Sequence, residues 1–137
     1  MPQHVSTNVV RKIMEKIVSI RGAITVKENS VKEIKEATKE LVREIFKQNN
    51  LVEPNIINII FTVTSDLDVI NPATIAREEF KISLTPMLCV QEMNIKNGLS
   101  KCIRILIQTY SELKKEEIKH VYLGKATNLR PDLSFDV

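Results

Sequence analysis

Apolar side chains recur along this chain with two different periods, and each period predicts one kind of element. From residue 30 to residue 49 they return every three to four positions, which is the spacing of one face of an α-helix. Ser30 followed by Glu33 has the pattern of a capping box at the start of that helix. Charged residues fill the opposite face, so we predict a long, solvated helix that covers a sheet and has no chemical role.

Apolar runs that alternate or are rich in β-branched residues predict the strands. They lie at 17–26, 56–64, 83–90, 101–109 and 118–126. A short second helix should run from Pro72 to about Phe80, because Asn71 can cap it and proline suits the first turn. This order of elements predicts an α+β fold, in which helices cover one side of a mixed β-sheet.

Two charges of opposite sign interrupt apolar segments near one turn. Glu92 follows the run that ends at Cys89, and Arg104 lies between Ile103 and Ile105. A charge among aliphatic side chains is costly unless it is paired or binds a ligand. The polar residues 94–98 predict a turn between the two charges, so the pattern indicates a small polar site enclosed by strands.

Composition narrows the classes of partner. The chain has 137 residues, of which 43% are hydrophobic and 27% charged, as expected for one globular domain. Its net charge is only +3, and aromatic residues make up 4% with no tryptophan, so the sequence does not indicate a nucleic-acid binder. No apolar run approaches the roughly 18 residues that cross a bilayer. We therefore expect no nucleic-acid partner and no membrane partner.

Motifs for several common chemistries are missing. The sequence contains no glycine-rich phosphate loop, no HExxH, no CxxC and no GxSxG. His4 and His120 are the only histidines, which is too few to indicate a metal site or a triad. Cys89 and Cys102 lie in apolar runs; one disulfide is possible, but reduced thiols in a cytosolic protein are the preferred interpretation. Cys89 has no evident base, so it is interpreted as a buried thiol.

Arginine is the residue type that accumulates at informative positions. Arg21, Arg77, Arg104 and Arg130 each lie at the end of a predicted element or inside a strand. The guanidinium group makes bidentate contacts with carboxylates and phosphates. Arg21 by itself could equally be a surface charge. Together the arginines indicate a pocket for a small polyanion, with Glu92 available for a hydroxyl or a cation.

Eight short motifs resemble one enzyme family. In chain order they are Ile-Arg-Gly-Ala at 20–23, Thr-Ser-Asp-Leu-Asp at 64–68, Pro-Ala at 72–73, Arg-Glu at 77–78, Cys-Val-Gln-Glu-Met at 89–93, Gly-Leu-Ser-Lys-Cys-Ile-Arg at 98–104, His-Val-Tyr-Leu at 120–123 and Leu-Arg-Pro-Asp-Leu at 129–133. Their order and spacing resemble the monofunctional chorismate mutases of the small trimeric AroH class. The resemblance covers the chain from about residue 17 to its end.

The resemblance implies an activity and an assembly. The activity is the Claisen rearrangement of chorismate to prephenate in phenylalanine and tyrosine biosynthesis, an isomerase reaction that needs no cofactor and no metal. The assembly is a cytoplasmic homotrimer whose sheets form a pseudo-α/β-barrel, with active sites at the subunit interfaces. It also implies an extension at 1–16, a chorismate mutase domain at 17–127 and a tail at 128–137 that closes the active site.

The same resemblance implies roles for individual residues. Arg104 would donate to the ether oxygen, Glu92 would accept from the ring hydroxyl, and Arg21 would bind a carboxylate; these three are the expected catalytic residues. The 94–98 turn would form a hairpin that presents Glu92 and Arg104 to opposite ends of the substrate. The expected substrate-binding set is Arg21, Ala73, Thr74, Arg77, Met87, Leu88, Cys89, Glu92, Arg104, Tyr122, Leu129 and Arg130.

Two positions depart from the family pattern. Asn71 stands where an aromatic residue is usual, and Thr74 where a lysine is usual. Both should lie at the mouth of the pocket. They keep open an alternative from another functional class, namely a non-catalytic trimeric protein that binds a small aromatic-pathway acid at the subunit interface.

Overall fold

Five strands form one mixed sheet in the computed structural model of this chain, which describes residues 16–129. The strands are β1 (Lys16–Thr25), β2 (Ile56–Val63), β3 (Met87–Gln91), β4 (Cys102–Ser111) and β5 (Val121–Leu123). The helices are α1 (Val31–Asn49) and α2 (Pro72–Glu79), with 3-10 turns at Glu53–Asn55, Lys115–Glu117 and Gly124–Asn128. No helix within residues 16–129 combines the length and the apolar composition needed to cross a membrane.

The strand order is β3-β2-β4-β1-β5. β4 pairs antiparallel with β1 and β2, whereas β1 with β5 and β2 with β3 are parallel. The α+β fold with a mixed sheet is therefore confirmed. The predicted hairpin between β3 and β4 is wrong, because β2 lies between these two strands and the 94–98 turn joins strands that are not neighbours.

One face of the sheet packs against α1 and α2. Ile20, Phe61 and Ile107 are fully buried on this face, and Leu41 and Ile45 of α1 are fully buried against them. These side chains come from alternate strand positions and from one stripe of the helix, as the two periods in the sequence predict. The hydrophobic core therefore lies between the helices and one side of the sheet.

Caps fix the starts of both helices. Ser30 Oγ accepts from the Glu33 amide at 3.1 Å, so half of the predicted capping box is confirmed. The reciprocal half is wrong, since the Glu33 carboxylate accepts from the Lys27 amide at 3.2 Å instead. Asn71 caps α2 by accepting from the Ala73 amide at 2.8 Å, and Pro72 takes the first helical position as predicted.

Gly22 allows α1 to approach the middle of the sheet. A Cβ atom at this position would lie 2.7 Å from Ile45 Cδ1 and 3.0 Å from the Val121 carbonyl oxygen. The β1–β4 register continues through Gly22 without a bulge. The glycine therefore permits a close approach between α1 and β1, one residue after Arg21.

Two strands differ in length from their predictions. β3 begins at Met87 and not at residue 83, because Thr85 Oγ1 donates to the Glu53 carboxylate and the preceding segment does not join the ladder. β5 covers only Val121–Leu123 instead of 118–126, because the backbone turns at Gly124, whose φ is +60°. The expected 1–16 extension lies outside the described residues except for Lys16, which begins β1.

Candidate active site

The face of the sheet opposite the helices carries the polar residues. Along β4, Arg104, Leu106 and Gln108 are partly exposed, whereas the isoleucines between them are buried, because side chains alternate along a strand. We call this side the open face. The register places Thr62 of β2 opposite Arg104 and Arg21 of β1 opposite Leu106.

A cavity of about 310 Å³ opens on this face, which is the lower end of the range for small-molecule sites. Its lining residues are Arg21, Gly22, Ile60, Thr62, Glu92, Arg104, Ile105, Leu106 and Tyr122. All three predicted catalytic residues therefore line one cavity, which we call the arginine cavity.

Arg104 and Glu92 are in direct contact. Arg104 Nε lies 2.9 Å from Glu92 Oε1, and both side chains are largely shielded, at 30% and 21% exposure. The two charges form an ion pair, but the Nε–H group does not point at an acceptor among the described residues. The idea that they stand at opposite ends of a ligand is wrong for this structure. A donor without an aligned acceptor is available to a ligand oxygen.

Glu92 is held at the end of β2. Its amide donates to the Val63 carbonyl at 2.8 Å, which extends the β2–β3 ladder by one residue. Its carboxylate accepts from Thr62 Oγ1 at 2.9 Å. Both the backbone and the side chain of Glu92 are therefore fixed by neighbouring residues of one strand.

Tyr122 contributes an unsatisfied hydroxyl to the same cavity. The side chain is 1% exposed and packs with Ala23, Cys102 and Ala126. Its hydroxyl is buried and has no hydrogen-bond partner among the described residues. A buried polar atom without a partner is unfavourable, so a ligand oxygen at this position would be stabilised.

Arg21 is fixed through its backbone. Its amide donates to His120 Nδ1 at 2.9 Å, which requires an unprotonated Nδ1, while the guanidinium group is exposed. His120 therefore supports the strand that carries Arg21. Among the described residues, no group of three or more His, Cys, Asp and Glu side chains is placed to hold a metal ion.

A second cavity, of about 420 Å³, lies between α2 and β3. It is lined by Asn71, Ala73, Thr74, Arg77, Ile82, Ser83, Thr85, Met87, Leu88 and Cys89. We call it the α2 cavity. Arg77 is the only charged residue in this lining, and no residue lines both this cavity and the arginine cavity.

Both cysteines are free thiols, as the sequence indicated. Burial raises the pKa of the Cys89 thiol above its usual value. Burial, partly offset by the nearby Arg104 charge, raises the pKa of Cys102 to about 11. Neither side chain is a thiolate near neutral pH. The interpretation of Cys89 as a buried thiol is only partly correct, because Cys102 is buried and Cys89 is partly exposed.

Leu129 joins the site from the end of the described chain. It packs against the cluster that contains Tyr122, and it lines a cavity of about 320 Å³ together with Glu92 and Arg104. This third cavity continues from the arginine cavity, since both include Glu92 and Arg104. Arg130 lies outside the described residues.

Comparisons with known proteins show the family to which the chain belongs. The family described as chorismate mutase type I matches residues 17–133. The chain belongs to the type I chorismate mutase family. Its relatives include chorismate mutase AroH of Bacillus subtilis strain 168, 37% identical over 115 residues that cover 84% of this chain and 91% of that protein.

Two further chorismate mutases extend the comparison. Chorismate mutase AroH of Thermus thermophilus is 36% identical over 115 residues, which cover 83% of this chain and 93% of that protein. A solved chorismate mutase from Clostridium thermocellum superposes with a TM-score of 0.78 at 41% identity, covering 81% of this chain and 98% of that one. The predicted family and its fold are thus confirmed.

The expected site residues of this family member fall into two groups in a single chain. Arg21, Glu92, Arg104 and Tyr122 line the arginine cavity, and Leu129 lies next to it. The α2 cavity holds the other described members of the set: Ala73, Thr74, Arg77, Met87, Leu88 and Cys89.

Thr62 contacts Glu92 directly, but it was not among the site residues predicted from the sequence. The alternation of side chains along β2 places Thr62 on the open face. The pairing of β2 with β4 that places it beside Arg104 is not visible in the sequence, because register is set between segments distant along the chain.

Proposed function

We propose that this chain catalyses the Claisen rearrangement of chorismate to prephenate and so acts as an isomerase in aromatic amino acid biosynthesis. One observation carries the proposal. In a type I chorismate mutase chain, Arg104 stands beside Glu92 in a cavity that also contains Arg21 and an unsatisfied Tyr122 hydroxyl.

The charges of the two cavities suit this substrate. The arginine cavity contains two positive side chains, Arg21 and Arg104, and one negative side chain, Glu92, so it carries one net positive charge. Arg77 supplies a second positive charge in the α2 cavity. Chorismate is a dicarboxylate with a ring hydroxyl and an ether oxygen, so the two net positive charges match its two carboxylates in number. The ring hydroxyl of chorismate can then donate to Glu92.

The reaction is an electron shift within one molecule. The ether C–O bond breaks as a C–C bond forms, and negative charge grows on the ether oxygen in the transition state. Arg104 donates a hydrogen bond to that oxygen, which is electrostatic stabilisation by a donor already in place. Glu92 accepts from the ring hydroxyl, while Arg21 and Tyr122 bind a carboxylate. Holding the substrate in its chair-like reactive form supplies a further part of the acceleration.

No other reacting group is needed. The rearrangement involves no nucleophile, metal or proton transfer, so the raised pKa values of Cys89 and Cys102 are compatible with it. We expect turnover in the presence of a chelator. The two free thiols support a reducing compartment such as the cytoplasm.

We further propose a homotrimer in which the α2 cavity of one protomer completes the arginine cavity of the next. The expected substrate contacts are divided between two cavities that have no lining residue in common. Leu88 at the sheet edge is 63% exposed and Val90 is 45% exposed, which leaves apolar surface for a neighbour to cover. The tail from residue 128 would close the site beyond Leu129.

Subunit mixing tests this division. Arg77→Ala and Arg104→Ala should each abolish most turnover alone. Co-folding the two variants at equal concentration should restore about one site in four, because a site between protomers combines one intact half from each variant. If mixed oligomers form, as shown by mass spectrometry, and turnover stays at the level of the variants, each site lies within one protomer and the proposal is wrong.

A non-catalytic binding protein remains the second candidate. Asn71 and Thr74, which depart from the family pattern, both line the α2 cavity. Incubation with chorismate separates the two functions, since a binding protein leaves the ultraviolet absorbance of chorismate unchanged and a mutase removes it.

A further inference from the structure

We infer that Thr62 is a positioning residue, which holds the Glu92 carboxylate so that one oxygen stays available to the substrate and Arg104 stays available to the ether oxygen. This inference rests on the proposed chorismate mutase function. It assigns a role to a residue of β2 that no expected contact with the substrate requires.

Two groups converge on the same carboxylate oxygen. Thr62 Oγ1 donates to Glu92 Oε1 at 2.9 Å, and Arg104 Nε lies 2.9 Å from that same atom. Oε1 therefore has both a neutral donor and a cationic neighbour. Because Thr62 and Arg104 both lie against Oε1, we expect Oε2 to be the oxygen that accepts from a ring hydroxyl.

Strand pairing makes this arrangement rigid. Thr62 faces Arg104 across the β2–β4 ladder, and the Glu92 amide donates to the carbonyl of the next residue, Val63, at 2.8 Å. Thr62 and Arg104 are therefore opposite each other on adjacent strands, and the backbone of Glu92 is bonded to the residue after Thr62. Groups held on paired strands keep their separation while a substrate enters and leaves.

The Thr62 hydroxyl also affects whether Arg104 donates to Glu92 or to the ether oxygen of the substrate. The Arg104 Nε–H does not align with Glu92, although the atoms are within ion-pair distance. Without the Thr62 donor, Arg104 would be the one close donor to Oε1, and the guanidinium group would turn towards the carboxylate. A guanidinium group that donates to Glu92 is less available to the ether oxygen in the transition state.

The side chain of Thr62 contributes little to the core. It is only half-buried and projects from the open face, and it lines the arginine cavity. Valine has the same shape and the same preference for strands, so Thr62→Val removes the hydroxyl with little change in packing. A loss of activity in this variant would report the hydrogen bond.

The test compares four purified variants in chorismate turnover and thermal unfolding. Thr62→Val should lower kcat about tenfold or more, which is the effect of losing one charge-assisted hydrogen bond, with a smaller change in KM and an unchanged Tm. Thr62→Ser keeps the donor and should recover most of the lost kcat. In a Glu92→Gln background, Thr62→Val should change kcat less than twofold, because the two residues act as one unit.

Thr109→Val is the matched control. Thr109 lies at the other end of β4, where its buried Oγ1 donates to the Asn55 carbonyl at 2.9 Å. This variant should lower Tm and leave kcat unchanged, which is the reverse of Thr62→Val. If Thr62→Val turns over like the native chain, or costs as much in the Glu92→Gln background as in the native one, the inference fails. If the native chain itself leaves chorismate unchanged, the proposed function fails instead.

Discussion

The two faces of β4 differ in almost every property although they share one backbone. Ile103, Ile105 and Ile107 point towards the helices and are at most 3% exposed. Arg104 and Leu106 point the other way and line the arginine cavity. Because side chains alternate along a strand, each residue of β4 that faces the core is followed by one that faces the candidate site. Stability and catalysis should therefore respond to different substitutions in the same strand.

Unsatisfied polar atoms are distributed unequally between these faces. In the part of the chain that the structure describes, four buried side-chain atoms have no hydrogen-bond partner: Thr38 Oγ1, Asn58 Oδ1, Arg104 Nε and the Tyr122 hydroxyl. Only Thr38 belongs to the helical side. Buried polar groups without partners are rare in folded proteins and call for a ligand, a water or a neighbouring chain. The other three unsatisfied atoms lie on the open face, which supports a ligand site on that face.

The largest effect should come from Arg104. Arg104→Lys keeps the positive charge but loses the planar fork that donates in two directions, so turnover should fall on the order of 10²–10³-fold. The Tm should change little, because the side chain lies outside the core. Steady-state kinetics and thermal unfolding of the same sample measure both. Near-native turnover in the lysine variant would remove Arg104 from its assigned role.

We expect an intermediate effect at Gly22, which lines the arginine cavity and also lies close to α1. Gly22→Ala places a methyl group 2.7 Å from Ile45 Cδ1 and 3.0 Å from the Val121 carbonyl. Overpacking of this kind lowers the free energy of unfolding by about 1–3 kcal/mol, because the Ile45 side chain or the α1 backbone must move and the Val121 carbonyl is also close. Urea unfolding measures the change. A variant as stable as the native chain would mean that this contact is loose and that α1 can adjust at no cost.

The smallest effect should come from Glu79 on the helical side. Its carboxylate lies 3.1 Å from Lys35 Nζ and 3.7 Å from Lys39 Nζ, which ties α2 to α1. The Lys35 hydrogen bond, with help from both charges, lowers the pKa of Glu79 below its ordinary value. Because the folded-state pKa is lowered, the contribution to stability is present above the unfolded-state pKa and is lost as the pH falls through the folded-state value.

Glu79→Gln should therefore lower Tm slightly at neutral pH, and the difference from the native chain should shrink in acid and in high salt. Glu78→Gln removes the same charge one residue earlier and serves as the control. Turnover should not change in either variant. Equal Tm losses for both variants at neutral pH would show that net charge, and not the contact with α1, is responsible.

Local patterns predicted the parts of the fold that local physics controls. The α1 helix begins and ends where its cap and its apolar spacing indicate, and the alternation of Arg104 with buried isoleucines places the open face correctly. β5 was predicted too long, because the apolar run through Ala126 does not reveal that Gly124 adopts a positive φ.

Pairing between distant segments was not predictable in this way. The turn at 94–98 indicated a hairpin, yet β2 inserts between β3 and β4, since sheet order depends on contacts far apart in sequence. The same insertion brings Thr62 to Glu92, and no sequence pattern pointed to that contact. The arginines and the motifs predicted which residues form the site, whereas the division of these residues between two cavities became visible only in the folded chain.

The most direct measurement follows the ultraviolet absorbance of chorismate after addition of the purified full chain in the presence of a chelator. We predict a saturable loss of chorismate with stoichiometric formation of prephenate, and turnover lower by on the order of 10²–10³-fold or more when Arg104→Ala replaces the native chain. If the correctly folded native chain leaves chorismate to decay at its uncatalysed rate, the proposed function is wrong.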